Sequence, residues 1–205
     1  DASLWEFRGR EAVHTYSSVM CWAACDRLGN AAARLGLPER ADYWNARAAQ
    51  VRATIEERAW NAELGRYAAT FEGDQLDASL LQMVDVRFAD PESPRMKATL
   101  AAVEAGLRRG PYMLRYAIPD DFGAPKTAFN FCTFWLIEAL HLSGRTDEAR
   151  DLFEEMLTRR TAAGLLPEDI SFDGEELWGN YPQTYSLVGI INCANLLSKS
   201  WQSIR

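Results

Sequence analysis

The chain has 205 residues, of which 48% are hydrophobic and 25% are charged, a composition typical of globular domains and unlike that of disordered or fibrous proteins. Its net charge of -7, with no basic stripe along the sequence, argues against a nucleic-acid partner. No apolar run approaches the roughly 20 residues that span a bilayer, so we expect no membrane partner. At this length we expect one domain with a substantial core.

All four cysteines lie in apolar stretches, which predicts buried thiols in a reducing compartment: Cys21, Cys25, Cys132 and Cys193. Only His14 and His141 could join them as ligands, so the sequence predicts no metal site, and we expect no cofactor. Because the sequence also shows no signal peptide, we expect a cytoplasmic location.

Residues 14–59 predict two helices. Apolar residues at helical spacing define a first helix over residues 14–35, which Gly36 ends. A second, amphipathic helix runs from Pro38 to Ala59. The glycines within residues 61–74 then favour a short strand pair or an extended loop over a helix.

Two helix N-caps follow in the sequence. Asp77 is predicted to cap a third helix that begins at residues 76–84, and no chemistry is required of it. Ser93, followed by proline, opens a fourth helix that ends near Gly110. Residues 111–126 contain prolines and no apolar period, so we expect a long ordered loop of the kind that often carries function.

The second half of the sequence predicts three more helices. Residues 127–142 are apolar almost all round, which is typical of a helix covered on most sides. A surface helix over residues 146–160 follows after a short turn, so we expect the two to be antiparallel. After a loop at residues 164–179, Asn180 is predicted to cap a last helix with Pro182 in its first turn. Seven helices at unequal spacing, with almost no sheet, predict an all-α fold without repeats.

Several segments resemble glycoside hydrolase family 15, which contains glucoamylases, glucodextranases and bacterial trehalases. The loop segments are LWEFRG at residues 4–9, LDASLL at 76–81, GLLPED at 164–169 and LWGNYPQTYS at 177–186. HTYS at 14–17 and FCTFWL at 131–136 extend the likeness across the chain. No single segment is decisive, but their order and spacing are those of the family.

The resemblance implies an (α/α)6 barrel of twelve helices, of which the seven predicted here correspond to the sixth to twelfth. Residues 1–205 would then form the C-terminal part of the catalytic domain, without the first helices and without the β-sandwich that usually precedes them. Such a part is expected to have reduced activity or none alone. Its open barrel face would expose apolar surface, so we expect self-association.

The resemblance also implies an inverting hydrolase of α-glucosides, either a glucoamylase-like enzyme that releases β-glucose or a trehalase. Glu6 would be the general acid and Glu168 the general base, and inversion requires their carboxyl groups to lie about 6.5–9.5 Å apart. Without the family context, Glu6 fits a solvated surface acid, and Glu168 fits an acidic turn that also contains Asp169.

Five further residues are candidate contacts of a carbohydrate substrate: Trp5, Arg8, Arg115, Tyr116 and Trp178. By resemblance, the pair Arg115 and Tyr116 contacts the non-reducing glucose, and a guanidinium suits the bridging of hydroxyl groups. An ion pair of Arg115 with Asp120 or Asp121 is the alternative. The rings of Trp5 and Trp178 suit stacking on sugar faces.

Other functions remain open at this point. A sugar epimerase or isomerase on the same barrel would need catalytic histidines, and His14 and His141 are poorly placed in the predicted helices. The helix pair over residues 127–160 fits a non-catalytic helical interaction module, although no fixed repeat supports it. A catalytically dead remnant of the hydrolase would have nearly the same sequence.

Overall fold

A computed structural model describes residues 1–198, which form seven α-helices and seven two-residue strands. The helices are α1 (Thr15–Arg34), α2 (Pro38–Arg58), α3 (Gln82–Asp85), α4 (Pro94–Leu107), α5 (Asn130–Leu142), α6 (Thr146–Thr158) and α7 (Thr184–Leu197). The strands are β1 (Trp60–Asn61), β2 (Arg66–Tyr67), β3 (Arg108–Arg109), β4 (Tyr112–Met113), β5 (Ala128–Phe129), β6 (Asp169–Ile170) and β7 (Leu177–Trp178).

The helices α1 and α2, both predicted from the sequence, pack on each other as a hairpin. They approach closely at Gly29, where an added Cβ would lie 2.2 Å from the side-chain oxygen of Asn45. Beyond α2, β1 and β2 pair antiparallel, which confirms the predicted strand pair. Helix α4 begins as predicted, because the hydroxyl of Ser93 accepts a hydrogen bond from the backbone N–H of Met96 at 3.3 Å.

Helix α5 lies at the centre of the core. It contacts α6, α7 and α3, and most of its residues are buried. On the α7 side, an added Cβ at Gly189 would lie 2.3 Å from the Phe134 ring, so the two helices approach closely there. The prediction of a helix covered on most sides is therefore confirmed, since hydrophobic residues on all faces need neighbours on all faces.

The structure corrects the boundaries of several predicted elements. The third helix is only a 3₁₀ turn, Ala78–Leu81, followed by the single turn α3. Helix α5 begins at Asn130 rather than at residue 127, because β5 pairs with β6 instead. The predicted loop over residues 111–126 begins with β4, which pairs with β3.

The predicted start of the last helix is also wrong. Asn180 does not cap α7, which begins at Thr184 with Gln183 as its N-cap, and Pro182 precedes the helix. Asn180 is used elsewhere, since its backbone carbonyl accepts a hydrogen bond from the Glu168 N–H at 3.0 Å. That bond continues the pairing of β6 with β7.

A three-stranded antiparallel sheet joins the two halves of the site described below. In it β6 is central, with Phe129 of β5 opposite Asp169 on one side and Trp178 of β7 opposite Asp169 on the other. The sheet leads directly into α5, and the backbone N–H of Asn130 donates to the carbonyl of Glu168 at 3.0 Å.

The cysteines are free thiols, but the prediction that all are buried is wrong. Cys132 and Cys193 are buried, Cys25 is half-buried and Cys21 is exposed. Cys21 follows the helical period of α1 onto the face away from the core, while the neighbouring Trp22 is buried. Across residues 1–198, no helix combines the length and the apolar character that crossing a bilayer requires.

Candidate active site

Residues 2–7 fold into a tight turn that presents Glu6. The backbone N–H of Phe7 donates to the backbone carbonyl of Ala2 at 2.8 Å, and the backbone N–H of Glu6 donates to the backbone carbonyl of Ser3 at 3.2 Å. Ser3 and Glu6 both have left-handed backbone angles, with φ of 68° and 55°. This conformation costs a residue with a side chain roughly 1–2 kcal/mol, so contacts elsewhere must hold the turn.

The Glu6 carboxylate is exposed at the edge of a depression of about 160 Å³. Within the described residues, nothing donates a hydrogen bond to it. The depression brings together four of the predicted site residues, together with residues of the following loop: Trp5, Glu6, Arg8 and Tyr116, with Phe7, Asp120, Asp121 and Phe122. The carboxylate is therefore free to meet a ligand in this depression.

Trp5 connects the 2–7 turn to the core. Its ring lies 6.2 Å from Tyr116, 5.8 Å from Phe129 and 6.1 Å from Trp135, measured between ring centroids. Its indole N–H donates to Oδ2 of Asp77 at 2.6 Å. Because Trp5 is half-buried in this way, most of its ring serves packing, and only part of it can face a sugar.

Arg115 lies over the same aromatic group. Its guanidinium carbon is 6.0 Å from the Trp5 ring, 5.7 Å from Tyr116 and 5.2 Å from Phe129, as in cation–π contacts. An ion pair with Asp120 or Asp121 was the alternative to a substrate contact, and Arg115 forms no such pair among the described residues. Its donors therefore remain available to hydroxyl groups of a ligand.

The Tyr116 hydroxyl is already engaged. It donates to Oδ2 of Asp120 at 2.6 Å, and this bond holds the pKa of the Asp120 carboxyl below its usual value. Burial raises the pKa of the Tyr116 hydroxyl, and the hydrogen bond to the Asp120 carboxylate raises it further. Tyr116 therefore shapes the wall of the depression and orders the loop, and its hydroxyl is a poor candidate for a direct substrate contact.

Glu168 immediately precedes β6 and is held by Asn180. Its Oε2 accepts the backbone N–H of Asn180 at 3.0 Å and the side-chain amide at 2.9 Å. No described residue donates a hydrogen bond to Oε1. Gly179 permits this arrangement, since its φ is 79° and an added Cβ would lie 2.8 Å from both Cβ and Oε2 of Glu168. One oxygen of Glu168 is thus fixed and the other is free.

Asp169 follows Glu168 but faces a different environment. The Thr127 hydroxyl donates to its Oδ2, while Oδ1 is buried without a partner among the described residues. Burial raises the pKa of its carboxyl, although Thr127 and the nearby Arg115 oppose the shift. Asp169 is therefore a buried acid of the central strand, close enough to Arg115 for the guanidinium to act on its pKa.

Trp178 is the most exposed of the predicted site residues with a ring, at 52%. It lies on β7 opposite Asp169, and its indole N–H donates to Oε2 of Glu176 at 3.0 Å. It does not line the depression that contains Glu6. The structure therefore places Trp178 with Glu168, and Arg8 with Glu6.

Two residues with a part in this site were missed or undervalued from the sequence. Asn180 was interpreted as a helix cap, yet it holds Glu168. Asp77 does cap the 3₁₀ turn, since Oδ1 accepts the Ser79 N–H at 2.8 Å, but it also binds Trp5. Within residues 1–198, no group of three or more His, Cys, Asp or Glu side chains is arranged to hold a metal ion.

Comparison with known proteins identifies relatives of this chain. A family model described as glycosyl hydrolases family 15 matches residues 1–195. The trehalase of Mycobacterium tuberculosis is 33% identical over 94% of this chain and 28% of its own length. The trehalase of Thermoplasma volcanium is 29% identical over 98% of this chain and 32% of its own length.

Solved structures show the same fold. A glycosidase in complex with glucose superposes with a TM-score of 0.79 at 20% identity, over 94% of this chain and 54% of its own. A bacterial glucoamylase complexed with acarbose superposes with a TM-score of 0.77 at 16% identity, over 94% of this chain and 34% of its own. These matches, with the helices above, confirm an all-α fold that forms part of an (α/α) barrel.

The chain spans about a third of the length of the curated relatives it matches. The likeness nevertheless covers almost all of its own residues, and it includes the segments around Glu6 and Glu168. The family predicted from those segments is therefore confirmed, and the chain belongs to glycosyl hydrolase family 15.

Proposed function

We propose that this chain carries both catalytic carboxyl groups of an inverting hydrolase of α-glucosides, with Glu6 as general acid and Glu168 as general base. One observation carries the proposal: Trp5, next to Glu6, contacts Phe129, whose strand pairs with the strand that follows Glu168. The segments that carry the two acids are thus linked through Trp5 and Phe129, which Arg115 also touches.

The surroundings of the two carboxyl groups suit different tasks. Glu6, free and exposed at the depression, would donate its proton to the glycosidic oxygen as the bond to the anomeric carbon breaks. Glu168, held through Oε2, would use its free Oε1 to take a proton from water as that water attacks the anomeric carbon from the opposite face. The configuration at that carbon is then inverted.

Arg115 supports the proposal because it connects the two sides. Its guanidinium lies beside Trp5 and Phe129 and forms no ion pair in the described part of the chain. A planar donor group fixed over rings can bind two sugar hydroxyls at once. We propose that it orients the glucose unit whose bond is cleaved, with Trp178 providing an exposed ring on the Glu168 side.

Trehalose is the substrate we favour. The curated relatives are named as trehalases from mycobacteria and from archaea, at 27–33% identity. Glucoamylase-like release of glucose from a non-reducing end remains the second candidate, because the bacterial glucoamylase shares the fold. Both reactions need the same pair of carboxyl groups, so the substrate rather than the mechanism distinguishes them.

Proton NMR of the anomeric signals tests both points. Inverting hydrolysis of trehalose should release one β-glucose and one α-glucose at early times, and maltose should release β-glucose. Glu6→Gln and Glu168→Gln should each abolish turnover, while Glu63→Gln, an exposed glutamate outside the site, should not. Early release of α-glucose alone, or full activity of either site variant, would refute the proposal.

Because we expect little turnover from this part of the barrel alone, binding provides a second measurement. Saturation-transfer NMR should detect trehalose on the wild-type chain, and Arg115→Ala should remove the signal. Arg47→Ala is a matched control, because Arg47 stacks on Tyr43 of α2 and not on the site. Equal binding by both variants would contradict the role proposed for Arg115.

Self-association remains a proposal. Helix α7 exposes apolar side chains one turn apart at Tyr185, Val188 and Ile191, and α1 exposes Met20 and Leu28. Such a patch favours burial against a second copy. Light scattering at micromolar concentration should show a dimer or larger species, and a monomer would contradict it. A cytoplasmic location likewise stays a proposal, supported by the four free thiols.

A further inference from the structure

Asp77 is buried more deeply than its role as a helix cap requires. Only 6% of it is exposed, and burial raises the pKa of its carboxyl. Capping uses Oδ1 alone, through the Ser79 N–H at 2.8 Å. A cap can do this at the protein surface, so the cost of burying a charged group must be offset by something further.

The second oxygen of Asp77 supplies that further contact. Oδ2 accepts the indole N–H of Trp5 at 2.6 Å, a short charge-assisted hydrogen bond. Within residues 1–198 the side-chain oxygens of Asp77 accept hydrogen bonds from Ser79 and Trp5, and no Lys or Arg side chain forms an ion pair with it. The bond joins residues far apart in sequence and fixes the direction of the indole ring.

Glu6 follows Trp5 directly in the 2–7 turn. The Glu6 carboxylate accepts no hydrogen bond from the described residues, and its backbone has the unfavourable left-handed conformation. A cavity of about 140 Å³ lies beside the end of the 2–7 turn, with Phe7, Asp77 and Tyr116 among the residues that line it. Two side chains connect the turn to the core on either side of Glu6. Phe7 packs on Tyr116 with ring centroids 5.0 Å apart, and Trp5 makes three ring contacts and the only one of these links that is a side-chain hydrogen bond.

We propose that Asp77 is a positioning residue, which holds the Trp5 indole and thereby fixes the place of the Glu6 carboxyl group. Asp77 does not line the depression that contains Glu6, so it would act on that depression through Trp5. The catalytic meaning of this positioning rests on the proposed function, but the coupling of Asp77 to Glu6 is a property of the fold alone.

Indole NMR tests the coupling directly. The chain has seven tryptophans, and Trp5→Phe identifies the Trp5 Nε1–H signal in a spectrum of ¹⁵N-labelled protein. A bond to a carboxylate should place that signal downfield of the others. Asp77→Asn, which offers a neutral acceptor, and Asp77→Leu, which offers none, should both move it upfield and should shift the backbone amide signal of Glu6.

Glu138→Gln is the matched control, because Glu138 is also a buried carboxyl group and lies away from the 2–7 turn, on α5. It should leave the signals of Trp5 and Glu6 unchanged. If the Asp77 variants do not fold, Trp5→Phe keeps most of the ring but lacks the N–H, and it should shift the Glu6 amide by itself. Unchanged Glu6 signals in the folded variants would overturn the proposal.

Kinetics separates this proposal from the proposed function. Asp77→Asn should lower kcat about tenfold to a hundredfold, as for a displaced catalytic group, with KM near its wild-type value because Arg115 is untouched. If Glu6→Gln retains activity while the Glu6 signal still follows Asp77, the proposed function fails and the coupling stands. If Glu6→Gln is inactive and Asp77→Asn keeps full kcat, the positioning role is overturned.

Discussion

The buried Glu138 gives a stability prediction that the structure makes quantitative. This residue of α5 is only 7% exposed, and burial raises the pKa of its carboxyl to about 7, with Asp85 adding to the shift and Gln82 opposing it. The ordinary value is 4.5. Glu138→Gln keeps the shape of the side chain but cannot ionise.

The direction of the pH dependence follows from the difference between the pKa of Glu138 in the folded and in the unfolded protein. Because the pKa is higher in the folded state, the contribution of Glu138 to the free energy of unfolding is fully present below about pH 4.5 and is lost as the pH rises through about 7. The full loss corresponds to about 3 kcal/mol. The glutamine variant avoids it, so the variant should be the more stable protein at alkaline pH and nearly equal to wild type in acid.

Urea denaturation of both proteins, followed by circular dichroism, measures the effect. At about pH 8 the free energy of unfolding of Glu138→Gln should exceed that of wild type by about 3 kcal/mol, and at about pH 4.5 the difference should nearly vanish. Glu63→Gln, at an exposed position, should show no such trend. A difference that is independent of pH would refute the reasoning.

Three further predictions concern close contacts and a cap. Gly179→Ala should destabilise the fold by about 1–2 kcal/mol in urea denaturation and should also lower kcat, because the new Cβ displaces Glu168. Gly189→Ala should destabilise by about 1–3 kcal/mol, since overlap with Phe134 outweighs the better helix propensity of alanine. Ser93→Ala should lower the thermal midpoint, with a loss of about 1 kcal/mol at the α4 N-cap.

The helices were predictable wherever local periodicity decides the structure. Helices α1, α2, α4 and α6 lie close to their predicted bounds, because apolar residues recur in each at helical spacing. The residues of β5 were assigned to a helix, since their apolar character suits either element. Their partner strand β6 is distant in sequence, and no local pattern records that pairing.

The site shows the same division between local and distant information. The sequence pointed to Glu6 and Glu168 through short segments that resemble a family, but it contained no signal for what holds them. Asn180 and Asp77 are polar residues beside helices, and capping explains such residues without any further contact. Only folding brings the amide of Asn180 to Glu168 and the carboxylate of Asp77 to Trp5.

The two carboxyl groups are restrained in opposite ways, and this difference suits their proposed tasks. Glu168 is held directly by two N–H donors, which fix where a water molecule can be activated. The Glu6 carboxylate has no donor in the described chain and is positioned through its neighbours in the turn, of which Trp5 is hydrogen-bonded to Asp77. An acid that must follow a departing oxygen benefits from this freedom, whereas a base that places one water benefits from rigidity. Restraint through Asp77 then limits the freedom of Glu6 without occupying its oxygens.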